Sequence, residues 1–255
     1  MQVSLDGVTT RNLTREIAQV NTVDPSCLEA WKLRIGELPH DIGRRYNNSL
    51  LTPKDWMSHF RNVLHRALYT KNRREGDHTC RCCGSAIENI QHLATCSIAG
   101  KVFDDLADLA NVQTRGPTPN TPTLYYELER VKFALFAITP DQKPLQEGWI
   151  NLHLLVWRYL IYHLVLVETE DAKFQKHEVW QATWHALEKR ALARAEHIRT
   201  DILRADSRGD EPPDVTSKGS CLAPLASLAG DGSLVWNEEL KHKISALATP
   251  PRRQR

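Results

Sequence analysis

The sequence predicts a mainly α-helical protein with a small cysteine–histidine knuckle and a disordered C-terminal tail. Three observations predict it. Apolar residues recur at spacings of three and four through most of residues 24 to 205, the signature of amphipathic helices. Four of the six cysteines crowd between Cys80 and Cys96. Beyond residue 205 the periodicity lapses, and Gly209, Pro212, Pro213, Ser217, Gly219 and Ser220 accumulate instead.

At 255 residues, 41% hydrophobic and 25% charged, the chain has the composition of an ordinary soluble protein with room for one large or two small domains. A net charge of +2 is nearly neutral, so affinity for nucleic acid has to come from a local patch. Cysteines gathered in one cluster suit a metal in a reducing intracellular compartment, nucleus or cytoplasm, better than a disulfide scaffold. The opening MQVSLDGVTTRNLTREI lacks an apolar core, so no secretory leader is expected.

Residues 1–23 read as a loosely ordered lead-in, and a helical domain is expected over 24–113. Asp24 caps its first helix, with Pro25 at the first position. Leu28, Trp31, Leu33 and Ile35 form the apolar side, and Gly36 ends the helix. A loop over 41–51 leads to Thr52-Pro53, which opens a second helix with Trp56, Phe60, Val63, Leu64, Ala67 and Leu68 as its stripe. Basic residues follow: Arg61, Arg66, Lys71, Arg73, Arg74 and Arg81, interrupted only by Glu75 and Asp77. Such a run is a solvated face or a phosphate-binding surface. Tyr69 is the best-placed aromatic residue for stacking on a base.

The stretch CRCCGSAIENIQHLATC carries the chemistry. Cys80 and Cys83 have the two-residue spacing of a thiolate knuckle, and His92 and Cys96 lie one helical turn apart. Together they make a closed three-cysteine, one-histidine set, which suits structural Zn2+. Cys82 can replace either knuckle cysteine, but the wider C-x2-C bite is preferred and leaves Cys82 as a neighbouring thiol. Ser85 and Glu88 read as a capping box that starts the ligand helix.

Trp31, Leu38-Pro39, Tyr69-Thr70, Cys80, Cys83, Glu88, His92-Leu93 and Cys96 stand in the order found in another group of proteins. This segment resembles the zinc-binding region that follows the polymerase domain in non-LTR retrotransposon reverse transcriptases. The likeness covers about residues 30 to 100 and becomes specific only at the ligands. It implies a zinc-bound segment that helps hold nucleic acid, with Cys80, Cys83, His92 and Cys96 as ligands. The polymerase core is absent. Asp104-Asp105 lies in a helical pattern, whereas polymerase metal carboxylates need a strand turn.

The Pro-rich residues 114–123 mark a linker, and 124–205 read as a helical bundle. One helix spans Leu124 to Ile138, ended by Thr139-Pro140. GWINLHLLVWRYLIYHLVLVE is long enough to cross a membrane, but Asn151, His153, Arg158 and His163 favour a buried central helix and no membrane. A long helix over 172–205 follows. Phe174, Val179, Trp180, Trp184, Leu187, Ala191, Ala195, Ile198 and Ile202 line its apolar side; Glu188, Lys189 and Arg190 belong to its wetter side. Its Trp-rich stripe is core or, alternatively, a docking face for a protein partner.

A flexible, basic-ended tail is expected over 206–255, with a short helix from Asn237 to Leu247. Pro213-Asp214 lacks the flanking acids, lysine and strands of a nuclease site. No triad order, phosphate loop or dinucleotide fingerprint appears, so the expected function is non-catalytic: a zinc-binding protein that associates with nucleic acid through phosphates. A helical protein-interaction module stapled by zinc is the alternative.

Overall fold

The computed structural model describes residues 26–36, 38, 50–68, 70–73, 75–112, 123–141, 145–169 and 172–251. It divides into two compact units, residues 1–38 and 39–255. Among the described residues there are nine helices and a single two-stranded sheet, so the chain is mainly α.

In the first unit, α1 runs Ser26–Ile35. Leu28, Trp31 and Ile35, three and four apart, are buried on one face, whereas Leu33 is 89% exposed on the other. Leu33 therefore leaves the expected apolar side. Gly36 ends the helix at φ +80°, a left-handed position that favours glycine. The proposed cap, Asp24-Pro25, lies outside the described residues.

In the second unit, α2 (Pro53–His59) continues into a wider π-type turn over Phe60–Leu64 and leaves the helix at His65. Ala67 and Leu68 therefore fall beyond it. Its buried positions are Asp55, His59, Val63 and Leu64, not the expected Trp56 and Phe60. Polar side chains go inward here because distant partners meet them. Asp55 accepts bonds from Arg158 and from Arg190 Nε at 2.8 Å, and His59 Nε2 donates to the Leu135 carbonyl at 2.6 Å.

The ligand helix α3 (Ile90–Thr95) and α4 (Lys101–Leu109) precede the Pro-rich stretch, whose residues 113–122 lie outside the described residues. Beyond it α5 runs Thr123–Phe136, and α3 packs against it. The expected division at 114–123 is therefore not where this unit separates. Helix α5 stops at Phe136, before Thr139-Pro140, because Ala137 turns left-handed at φ 53°. Its last carbonyls are capped by side chains. Trp157 Nε1 (2.7 Å) and His153 Nε2 (2.9 Å) both donate to Ala134, beside the His59 bond to Leu135.

Helix α6 (Glu147–Thr169) is the centre of the unit, packed between α2 and α7 (Lys176–Arg208). It is long and apolar enough to cross a membrane, and half of its most apolar window is buried within the protein. Gly148 lets it approach the next segment closely, since a Cβ there would sit 2.5 Å from the Ala223 carbonyl. Helix α7 buries Val179, Trp180, Thr183, Leu187, Ala191 and Ile198. Arg190, assigned to its wetter side, instead reaches Asp55.

Residues 206–251, where a flexible tail with one short helix is expected, carry further elements. Helix α8 (Val215–Gly219) leads through a 3-10 turn into β1 (Ala226–Leu228), which pairs antiparallel with β2 (Leu234–Trp236), Ser227 opposite Val235. The expected last helix is α9 (Glu238–Leu247), capped by Asn237 and packed on α7 and α4 through buried Ile244. The Trp184–Trp236 contact, at 4.9 Å between ring centroids, fastens this hairpin to α7. These are long-range contacts, invisible to local periodicity. Residues 252–255 lie outside the described residues.

Candidate metal centre

Thr79 and Ile87 pair as an antiparallel bridge, with Cys80 N donating to the Ala86 carbonyl at 2.8 Å and Glu88 N to that of His78 at 2.9 Å. The knuckle is the turn inside this pinched loop, and Gly84 closes it at φ +66°. Helix α3 follows at once. Its cap is Asn89, whose side chain accepts from His92 N at 2.8 Å, rather than the expected Ser85 and Glu88. Cys96 sits at the C-terminal end of α3, and Arg130 Nη1 donates to the neighbouring Thr95 carbonyl at 3.3 Å.

These elements bring together Cys80, Cys83, His92 and Cys96, whose ligand atoms all lie within 4.8 Å of one another. Cys80 Sγ is 3.9 Å from Cys96 Sγ, and Cys83 Sγ is 3.3 Å from His92 Nε2. A tetrahedral ion with metal–sulfur bonds of about 2.3 Å requires sulfur–sulfur edges of about 3.8 Å and slightly shorter sulfur–nitrogen edges. The group therefore has the size and the donors to hold one metal ion. Cys80 and Cys96 are buried, at 2% and 0% exposure, while Cys83 and His92 form the half-buried outer side.

Each sulfur also faces a hydrogen-bond donor, as a thiolate requires. Cys82 N points at Cys80 Sγ (3.4 Å), Ser85 Oγ at Cys83 Sγ (3.2 Å) and Ile98 N at Cys96 Sγ (3.5 Å). Both inner thiols lie above their ordinary value. The Cys82 thiol pushes Cys80 up to about 11, against a smaller opposite pull from Cys96 and with burial adding to the rise. The Cys80 thiol and burial raise Cys96 as well. For Cys83, burial pulls upward, but hydrogen bonds from Ser85 and His92 outweigh it and the thiol ends below its ordinary value. A metal entering the site displaces protons from the inner pair. Cys82 stays outside the ligand set and opens onto a neighbouring cavity.

Glu88, passed over as a cap, is the organising group beside the metal. It is fully buried and accepts from Arg81 Nε (2.8 Å), Arg81 Nη2 (2.6 Å) and the backbone N–H groups of Arg81 and Lys71, both at 3.0 Å. Arg81 Nη1 goes on to Glu168 at 2.7 Å and the Leu164 carbonyl at 3.1 Å. Arg81, one of the basic residues expected to meet phosphate, is thus spent on carboxylates. The signal for this was an acid two residues past the loop that carries an arginine between two cysteines.

The other basic residues divide. Lys71 and Arg73 share a 3-10 turn that Glu88 and His78 Nδ1, donating to the Lys71 carbonyl at 3.0 Å, tie to the knuckle. Lys71 Nζ stands 3.5 Å from Asp77, and Arg73 is exposed. Arg61 is exposed on the π-type turn, whereas Arg66 is half-buried with a positive φ of 53°. Arg74 and Tyr69 lie outside the described residues.

The carboxylates weighed as catalytic have other partners. Asp104 takes two bonds from Arg130, at 2.7 and 2.6 Å, and Asp105 pairs with Lys176 and the Trp180 indole. Asp214 caps α8 by accepting from Ser217 N. No protein family, curated protein or solved structure matches the chain.

Proposed function

We propose that the chain is a non-catalytic zinc protein whose metal knuckle presents basic residues to the phosphates of nucleic acid. In this reading it is a relative of the C-terminal region of non-LTR retrotransposon reverse transcriptases. The observation that carries it is the convergence of three sulfurs and one imidazole nitrogen within 4.8 Å. Thiolate-rich tetrahedral sites select zinc among the common divalent ions, and four protein ligands leave no open position for substrate. Such a site staples the fold. The six cysteines are all unpaired, which suits a reducing intracellular compartment.

The phosphate reading rests on Lys71 and Arg73. Their turn is fixed to the knuckle through Glu88, so zinc would hold these cations in place at little further entropic cost. Arg61, exposed on the π-type turn, is a further cation open to phosphate. Its neighbour Arg66 is more enclosed and contributes less. Two or three contacts give weak, sequence-independent binding with a log–log salt slope of about −2.

Elemental mass spectrometry and a salt titration test the two halves separately. One zinc per purified chain is expected, with RNA and DNA oligonucleotides released as salt rises. Lys71→Gln with Arg73→Gln should flatten the slope by about 1 to 2. A metal-free preparation with ordered ligands, or binding indifferent to salt, removes the corresponding half. A polymerase reading frame upstream in the same transcript would support the kinship.

The second reading is a protein-interaction module with zinc as a staple. It is favoured by Leu192 and Leu203, 53% and 68% exposed, which fall on one face of α7 three turns apart. Pull-down with the isolated α7 face altered (Leu192→Glu, Leu203→Glu) separates it from the first, since nucleic-acid binding should survive that change.

A further inference from the structure

We propose that the cavity between the knuckle, the C-terminal end of α6 and residues 172–175 takes one unpaired nucleotide of a bound single strand, its base against Phe174 and its phosphate at Lys71 and Lys173. This rests on the nucleic-acid reading above and names the form of nucleic acid. The cavity has a volume of about 750 Å³, within the range of ligand sites and large enough for one nucleotide.

Its walls divide as a nucleotide does. Phe174, Ile98 and Val167 supply apolar surface for a flat ring, and Ile98 is 38% exposed with nothing packed over it in full. Lys71 and Lys173 supply the cations. Lys173 is exposed and has no carboxylate partner among the described residues, and the Lys71–Asp77 pair is open to solvent and weak. Arg81 also lines the cavity but is held by two carboxylates, Glu88 and Glu168, so a phosphate would meet Lys173 and the weakly paired Lys71 rather than Arg81. Gln175 offers a donor and an acceptor to a base edge. Lys71 belongs as well to the phosphate surface, so a strand crossing Arg73 is led to this opening. A paired base has both faces stacked and its edge occupied, so only an unpaired one can enter.

The test uses the full metal-loaded chain with a fluorescent single strand of about 12 nucleotides and the blunt duplex of the same sequence. Phe174→Ala is expected to weaken single-strand binding about fivefold or more, with duplex binding unchanged. Lys173→Gln, at an exposed position that cannot unfold the chain, should weaken the single strand by a smaller factor. A strand carrying 4-thiouridine should photo-crosslink to the peptide containing Phe174. Equal losses on strand and duplex, or no loss with either variant, overturn the cavity's role while leaving the phosphate surface standing. Free nucleoside monophosphates that compete as well as the strand overturn the strand as the source of the nucleotide. Failure of the unaltered chain to bind either probe overturns both readings together.

Discussion

Glu88 grips Arg81 through both of its carboxylate oxygens, 2.8 Å from Nε and 2.6 Å from Nη2, with no exposure of its own to solvent. The fork locks the side chain that stands between Cys80 and Cys82, and the same guanidinium reaches α6 through Leu164 and Glu168. Metal loop and central helix are therefore joined through one arginine, held in the loop by a buried ion pair and to α6 by a carbonyl and a part-exposed carboxylate. Glu88→Gln leaves a largely buried guanidinium short of one counter-charge and should cost about 2–4 kcal/mol, read as a lower urea midpoint. An unchanged midpoint would mean that Glu168 alone balances Arg81.

The same carboxylate makes stability depend on acid. Burial would raise the Glu88 pKa, but its bonds from Arg81 and the Lys71 amide outweigh that and hold it below 4.5. A depressed folded value contributes stability that is fully present above the unfolded value of about 4.5 and is lost as pH falls through the folded one. The gap in unfolding free energy between the wild-type chain and Glu88→Gln should be constant near neutral pH and shrink below about pH 4.5. Measuring that gap, rather than the wild type alone, separates Glu88 from metal loss in acid. A gap that widens on acidification would contradict the sign.

Metal removal should act locally and strongly. The segment around the knuckle has one isolated bridge and a six-residue helix, too little to hold itself without the ion. A strong chelator, or Cys83→Ser, is expected to abolish amide-exchange protection over residues 75–105 while α6 and α7 keep theirs. Full protection of residues 75–105 after chelation would show that packing alone sustains the loop.

Much of this architecture was legible in local pattern. The ligand spacing, the central apolar helix and the short last helix all depend on residues within a turn or two of each other, where periodicity rules apply. What escaped was settled by distant partners. Glu88 looks like a helix cap next to Ser85, but Arg81 and the Lys71 amide claim it and Asn89 takes the cap. His59 and Asp55 look like the polar side of α2 until carbonyls and arginines 76 to 135 residues away turn that side inward. The Gly- and Pro-rich stretch after residue 208 looks unstructured because its support, the Trp184–Trp236 contact and Gly148 beneath Ala223, comes from helices far earlier in the chain.

Asp55 offers the sharpest test of that inward-facing polar surface. Its carboxylate is fully buried, accepts from Thr52 N (2.8 Å) and Oγ1 (2.6 Å) at the start of α2, and meets both Arg158 of α6 and Arg190 of α7. Capping and charge balance make different demands on it. If capping dominates, Asp55→Asn keeps an acceptor and Thr52→Ala is the comparable loss, each about 1 kcal/mol. If charge balance dominates, Asp55→Asn leaves two partly buried guanidinium groups facing each other and costs about 3–5 kcal/mol, well above Thr52→Ala. The geometry favours the second outcome, because each arginine anchors a different helix on the same carboxylate. Urea unfolding of the two variants decides it, and equal losses would reduce Asp55 to a helix cap.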